Sequence, residues 1–458
     1  MSSHWPIVQA KLEEADTPEI VVQLFRRHYQ NLCSGNDGFL RESEIDPASD
    51  PIDAEALSPS MAKLGRENLG SVAVLKLNGG LGTSMGLEGP KSLLKVRGQD
   101  TFLALILRQS KQLSVPLVLM NSFSTEKQTD AAINEFNDPG IEVLSFLQHQ
   151  VPKIDAATML PVEWPADPSL QWCPPGHGDI YAALQTSGTL KQLIGEGRRY
   201  LFVSNADNLG ATLDLGILGH FIHSGKSFLM EVADRTPADR KGGHLARSKA
   251  GGLLLREKAQ CHPDEETLFQ DISVHRYFNT NNLWIDLVAL NEFMISSGGS
   301  LDLPTITNTK TVDPKDSSSP KVFQLETAMG AAIEVLPNSD AIRVPRSRFA
   351  PVKTTGDLLA VRSDAYEVRD DFSVGLIEKR RGLPPHISLD ERYFKNIADL
   401  DVRLGVTPSL EACDSLVVQG NLTFTKDVVL VGDVKLIGNE SPSVIPSGTY
   451  QGERTFIG

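Results

Sequence analysis

The sequence predicts an α/β fold, a mostly parallel sheet flanked by helices, with a parallel β-helix after it. Three observations carry this. Apolar strand-like runs alternate with helical patterns from Ser71 to Asn205, as in an open α/β sheet. Polar or glycine-rich features fall just past three of those runs, at the strand ends where such sheets bind ligands. In the tail, apolar residues recur at every sixth position, a period that fits neither a helix nor an ordinary amphipathic strand and matches a parallel β-helix.

Residues 5–33 read as helical, with Thr17 as N-cap and Pro18 as the first helical residue. Residues 34–57 carry the acids Asp37, Glu42, Glu44, Asp46, Asp50, Asp53 and Glu55 against the single base Arg41, which predicts a solvated linker. Ser71–Leu77 is the first strand, and Thr101 caps a helix through Leu113. A strand over Val115–Asn121 follows, then a capping-box pattern of Thr125 and Gln128 before a helix to Phe136. Ile141–Leu147 reads as a strand, Asp179–Leu193 as a helix and Arg199–Asn205 as a strand. In the tail, Leu410, Leu416, Leu422, Val428 and Val434 form one hexad series; Ala412, Val418, Phe424, Leu430 and Leu436 form a second. The pattern divides the chain into a helical segment with acidic linker (1–65), an α/β domain (66–355), a connection (356–409) and the β-helix (410–458). Within the connection, Lys379, Arg380 and Arg381 predict an exposed basic loop.

A chain of 458 residues with 40% hydrophobic content buries more than one core. Its net charge of −14 argues against a nucleic-acid partner. That acidity does not exclude anionic ligands, because charges beyond a Debye length, about 8 Å at physiological salt, are screened. A lysine about 4 Å from a phosphate contributes roughly 4 kcal/mol at an effective dielectric of about 20. Cys33, Cys173, Cys261 and Cys413 form no C-x-x-C pair, so neither a zinc site nor a disulfide framework is expected. Reduced thiols, the lack of a secretory leader pattern and the lack of a long apolar run point to a cytoplasmic protein with no membrane contact.

The densest chemical signal is Leu77–Lys91, LNGGLGTSMGLEGPK. Gly79, Gly80, Gly82, Gly86 and Gly89 leave a strand end, and Lys91 follows. Such a turn points backbone N–H groups into one concavity that suits phosphate. Pro90 excludes the Gly-Lys-Ser/Thr of a P-loop, and the G-x-G-x-x-x-G spacing of Gly80, Gly82 and Gly86 departs from the dinucleotide fingerprint.

The whole string resembles the signature of the UDP-glucose pyrophosphorylase family, the UTP–glucose-1-phosphate uridylyltransferases. Ser84 stands where the related N-acetylhexosamine enzymes usually carry Arg. Further matches are Gln148–Lys153 (QHQVPK, with Lys153 where Arg is usual), Trp172–Asp179 (WCPPGHGD), Ser204–Asn208 (SNADN), Lys241–Gly243, Asn279–Trp284 (NTNNLW), Gln324–Thr327 (QLET) and Val344–Lys353 (VPRSRFAPVK). The resemblance implies a nucleotidyltransferase (GT-A/Rossmann-like) mixed sheet and a left-handed hand for the β-helix. It implies that Leu77, Asn78, Gly79, Gly80, Lys91, Gln148, Gly176, Asp207 and Lys353 bind the nucleotide, Gln148 reading the uracil. Gly79, Gly80, His177, Asn205, Asp207, Gly243, Asn279 and Glu326 would hold the sugar phosphate. Lys91 and Lys353 would be catalytic, and Asp207 would bind Mg²⁺. The implied reaction is UTP + glucose 1-phosphate ⇌ UDP-glucose + pyrophosphate, with oligomeric state left open between monomer and homo-oligomer.

Outside the motifs, the same residues have plainer readings. His177 is then a helix-flanking histidine beside Asp179, Gln148 a surface residue, Asp207 a helix cap and Glu326 an acid paired to an Arg. Arg346 and Arg348 would pair with acids. The same chemistry on N-acetylglucosamine 1-phosphate or galactose 1-phosphate stays open, as does a non-catalytic sugar-nucleotide sensor; the presence of Lys91, Lys353 and Asp207 together favours the enzyme.

Overall fold

A computed structural model describes residues 4–35 and 38–456; Asp37 of the acidic segment lies outside them. The centre is a mixed sheet of eleven strands. Eight of them, in chain order, are β1 (Ile52–Asp53), β2 (Val72–Asn78), β3 (Leu117–Asn121), β4 (Val143–Leu147), β5 (Tyr200–Asn205), β6 (Phe228–Asp234), β7 (Tyr277–Asp286) and β8 (Ser339–Arg343). Their order across the sheet is β1-β8-β6-β7-β5-β2-β3-β4. β5, β2, β3 and β4 run parallel to one another. β7 is antiparallel to both of its neighbours, β5 and β6, which makes the sheet mixed. Helices cover both faces, so strands such as Val72–Leu75 and Leu117–Met120 are buried on both sides and apolar throughout.

Local chemistry sets most boundaries. Thr101 Oγ1 accepts from Ala104 N–H at 3.1 Å and starts the helix Phe102–Leu113. The capping box expected of Thr125 and Gln128 does not form: Thr125 Oγ1 accepts from Ser122 N–H at 2.9 Å instead. The predicted helix over Asp179–Leu193 is two, Ile180–Thr186 and Thr189–Gly195, broken where Gly188 takes φ +79. The first helical stretch likewise divides into Trp5–Glu14 and Glu19–Cys33, separated by Asp16 at φ +51.

The acidic segment is not left in solvent as a linker. Ile45–Pro47 pairs antiparallel with Ala246–Ser248, and β1 adds to β8 at the sheet edge. Its acids meet bases in or next to the sheet: Glu42 with Arg256, Asp50 with Arg276, and Asp53 with Arg343. Each ion pair connects residues far apart in the chain, which a window of local charge cannot register. The expected exposed basic loop is also corrected in part. Arg380 is buried and donates to the carbonyl oxygens of Leu383, Glu411 and Cys413, while Lys379 is exposed and pairs with Glu411.

The tail folds into two parallel sheets. His386–Leu389, Ser409–Gln419, Val428–Ile437 and Gly448–Thr455 form one, and Leu422–Phe424 pairs with Ser443–Ile445 in the other. Leu416 lies beside Val434 and Val434 beside Gly452, one partner every three hexads. Every member of the two hexad series is buried except Ala412, which is exposed because the register shifts there and Cys413 turns inward. The tail shares one apolar cluster with Met85, Leu94, Val96 and Phe102 of the central unit. The four cysteines are free; Cys173, Cys261 and Cys413 are buried and Cys33 is partly exposed.

Beneath the central strands lies an internal charge network. Glu231 of β6 is fully buried, and both its oxygens accept from the Arg348 guanidinium at 2.7 Å. Asn282 Nδ2 and Trp284 Nε1 also donate to it, at 3.0 and 2.9 Å. Lys76 of β2 is buried nearby, donating to Ser204 Oγ and Ala211 O, both at 2.7 Å. Burial first, then the Arg348 charge, lowers its pKa to about 7, against the opposing pull of Glu231. Glu231→Gln strands the Arg348 charge and is expected to cost about 3–5 kcal/mol, measured as a lower urea midpoint at unchanged m-value.

Candidate active site

Three of the parallel strands end at one edge, and the expected residues gather there. Past β2 the glycine-rich loop folds back on itself, with Leu81 bridging Pro90 and Lys91 N–H donating to Gly80 O at 3.1 Å. This return carries Lys91 to the end of β5, where its Nζ lies 2.6 Å from Asp207 Oδ2. The Asp207 backbone is held from both sides: Ala206 N–H donates to Leu77 O and Val352 N–H donates to Asp207 O, each at 3.1 Å. Asp207 Oδ1 is buried with no hydrogen-bond partner. The Val352 bond places Lys353 one residue from this contact. Its side chain is exposed, with Nζ 5.7 Å from the Phe349 ring centroid, and its own N–H donates to Asp357 Oδ2 at 2.9 Å.

At the end of β4, Gln148 N–H donates to Asn121 O and its side-chain Nε2 donates to Gly176 O, both at 2.7 Å. A Cβ on Gly79 would lie 3.2 Å from Gln148 Oε1, so the glycine-rich loop reaches the same point. Gly176 has φ +81, and a Cβ there would lie 2.4 Å from Thr327 O, so only glycine fits. Asp179 holds the segment from behind, accepting from His149 N–H at 2.8 Å and facing His149 Nδ1 at 2.9 Å. His177 is engaged elsewhere: its Nδ1 accepts from Met329 N–H at 3.0 Å, which leaves the ring proton on Nε2 as a donor. Burial lowers the His177 pKa to about 4, so the ring is neutral at pH 7.

The third group of motifs lies along β7. Glu231 stands opposite Asn282 and Val232 opposite Asn279, so Thr280 and Asn281 form a β-bulge with Asn281 at φ +59. Asn279 N–H donates to Gly243 O at 3.1 Å. The Glu257 carboxylate crowds Gly243, where a Cβ would lie 2.5 Å from Oε2, and burial lifts the Glu257 pKa to about 6. Thr327 N–H donates to Pro175 O and Gly178 N–H to Thr327 O, at 2.9 and 2.8 Å, which fixes Glu326 beside Gly176. Gly330 packs on the Asn279 amide while Met329 binds His177. An unbroken line of contacts therefore runs from Gln148 through Gly176, His177 and Asn279 to Glu257.

The sequence model for UTP–glucose-1-phosphate uridylyltransferase matches residues 22–431. The chain belongs to the UTP–glucose-1-phosphate uridylyltransferase family. The Saccharomyces cerevisiae protein of that name is 44% identical over 83% of this chain and 77% of its own length. The Hordeum vulgare protein of the same name is 40% identical over 91% of this chain and 88% of its own. A variant of UDP-glucose pyrophosphorylase from Leishmania major, solved in complex with UDP-glucose, superposes with a TM-score of 0.91 at 40% identity, covering 100% of both chains.

Within this uridylyltransferase family frame, several motif residues face away from the cleft edge. The Asn78 amide nitrogen turns inward, donating to Asn121 Oδ1 at 2.7 Å and Thr129 Oγ1 at 2.9 Å. Lys153 is buried and donates to Val312 O at 3.0 Å. Arg346 pairs with Asp239 and Arg348 with Glu231. Sequence reading missed the Asp179–His149 pair, having set Asp179 beside His177, and it missed Glu257 and the Met329 N–H. The Trp172–Asp179 motif ends on Asp179, a signal that could have found it; a backbone donor such as Met329 leaves none. Among the described residues, no group of three or more His, Cys, Asp or Glu is gathered as in a metal centre. Asp207 alone, with its unpartnered oxygen, suits an ion that draws its other ligands from phosphate and water.

The His177 environment has a pH signature. The unfolded ring binds a proton near pH 6.5 and the folded ring only near 4. Its contribution to stability is therefore complete above about pH 6.5 and is lost as the pH falls toward about 4. His177→Gln is expected to flatten the stability–pH curve across that window, measured by urea midpoints from pH 4 to 8.

Proposed function

We infer that this chain catalyses uridylyl transfer between UTP and glucose 1-phosphate, giving UDP-glucose and pyrophosphate. The observation that carries the reading is the Lys91–Asp207 contact at 2.6 Å beneath a glycine-rich loop, with Lys353 one residue from the Val352 bond to Asp207. The reaction requires two anions to meet. A sugar 1-phosphate, with a second pKa near ~6, is already ionised at about pH 7. Its oxygen can attack the α-phosphorus of UTP without giving a proton to the protein. The barrier is then repulsion and alignment, and catalysis consists of neutralising charge and fixing geometry.

Each part has a role in this reading. Loop amides at Gly79 and Gly80 and the ammonium groups of Lys91 and Lys353 offset the charge of the α-phosphate and of departing pyrophosphate. Gln148, set against Gly79 and Gly176, reads the uracil edge through its amide. Neutral His177 donates from Nε2 to the sugar phosphate beside Asn205. Gly243, Asn279, Glu326 and the added Glu257 offer the amide and carboxylate groups that a polyhydroxyl ring pairs with. Asp207 would hold Mg²⁺, which supplies further neutralisation of the phosphates. We also propose residues 66–355 as the catalytic domain and the tail from 410 as a left-handed β-helix. One strand partner every three hexads supports the coil. The free thiols suit a cytoplasmic setting.

The direct test is UTP-dependent pyrophosphate release, with glucose 1-phosphate compared against N-acetylglucosamine 1-phosphate and galactose 1-phosphate. Glucose 1-phosphate should give the highest kcat/KM; no turnover with any of the three would sink the reading. Lys91→Ala and Lys353→Ala should each lower kcat/KM by about 10²–10³-fold in proteins with native circular dichroism. Gln148→Ala should narrow the preference for UTP over the other nucleoside triphosphates, and a selectivity equal to that of the parent would reject its part in base reading.

A further inference from the structure

We propose that residues 40–53 form a strap that positions the sugar subsite, with Glu42 as its clamp. The proposal rests on the reading of Gly243, Glu257 and Asn279 as sugar-binding residues.

One carboxylate grips both strands that frame this pocket. On one side, Glu42 Oε2 lies 2.5 Å from Nη1 of Arg256, a fully buried side chain immediately before Glu257. On the other, Glu42 Oε1 lies 2.8 Å from His275 Nε2, and the His275 ring stacks at 3.9 Å on His244, the residue after Gly243. His244 and Arg256 are cross-strand partners, so the two grips act on the two halves of one hairpin. Glu265 completes the seat: Oε2 accepts from Arg256 Nη2 at 2.8 Å and from Glu42 N–H at 2.9 Å.

The rest of the strap fixes Glu42 in place and reaches the third pocket strand. Leu40 N–H donates to Gln260 O at 2.8 Å, and Ile45–Pro47 pairs with Ala246–Ser248. Farther on, Asp50 accepts from Tyr277 Oη and from Arg276 Nη1 at 3.0 Å, two and three residues before Asn279. Both strands of the hairpin and the start of β7 thus share one external brace. None of these contacts touches Gln148, Gly176 or the glycine-rich loop. Loosening the brace should displace Gly243, Glu257 and Asn279 while leaving the nucleotide half unchanged. Glu42 is a positioning residue, and its signature is a split between the two substrates.

The experiment is steady-state pyrophosphate release with the full chain, varying glucose 1-phosphate at saturating UTP and then the reverse. Glu42→Gln should raise KM for glucose 1-phosphate by at least about tenfold with KM for UTP unchanged, and Glu42→Asp should recover part of the loss. Glu257→Gln run alongside separates the two readings. If it raises KM for glucose 1-phosphate and Glu42→Gln does not, the strap is overturned and the pocket assignment stands. If Glu257→Gln has no effect, the pocket assignment fails and the strap proposal falls with it. An equal rise in both KM values for Glu42→Gln would mark a general structural role and also overturn the proposal. Should Glu42→Gln fail to fold, Asp50→Asn takes its place with the same split expected and the same equal-rise outcome against it.

Discussion

The Glu231–Arg348 ion pair is the constraint on which the site depends. Arg348 enters the protein from the segment that carries Lys353, and Glu231 sits on β6 next to the strand that carries Asn279. Arg348 also donates to Thr212 O, and Asn208 Nδ2 donates to Arg348 O at 3.1 Å. One buried pair therefore joins the loop bearing Asp207 to the segment bearing Lys353 and to the bulged strand. A buried charge pair is a poor source of net stability, because desolvation offsets most of its attraction. Its value here is geometric. With every oxygen and most nitrogens occupied, it admits one arrangement of three chain segments. Apolar packing alone, such as Phe202 against Trp284 at 4.6 Å, tolerates small slides that would misplace an ammonium group.

Above this foundation, charge is distributed unevenly. Asp207 has one oxygen satisfied by Lys91 and one satisfied by nothing. Lys353 stands exposed, and Lys76 is dehydrated and bonded only to neutral oxygens. The edge of the sheet thus keeps local electrostatic capacity although the whole chain carries −14. Short-range contacts decide what binds there, because the distant surface acids are screened.

Much of this was legible in the sequence, and the gaps share one cause. β2, β3, β4 and β5 were readable because their runs are mainly apolar, and β2, β4 and β5 lead into glycine, glutamine or aspartate. The hexads of the tail were readable because a coil repeats its own geometry. The strap was not, since Glu42, Asp50 and Asp53 gain meaning only from Arg256, Arg276 and Arg343, two hundred or more residues away. Asp179 was assigned to the neighbour beside it and not to His149, because chain proximity is a weak guide across a turn. Ala412 illustrates the same limit within a repeat: its hexad position is apolar and its side chain is outside, displaced by a shift in register that the periodicity does not encode.

The three buried cysteines are distributed over separate regions of packing. Cys173 sits in the cluster formed with the first helices, Val151 and Ile154, Cys413 in the cluster shared by the tail and Phe102, and Cys261 next to Gln260, which holds the strap at Leu40. Cys33, at the end of the second helix, is the one cysteine of the four that is not buried. The protein therefore contains its own regional reporters of opening. An alkylating reagent followed by mass spectrometry would mark Cys33 first, and the order in which the other three become modified under mild denaturant would rank how the parts of the molecule come apart.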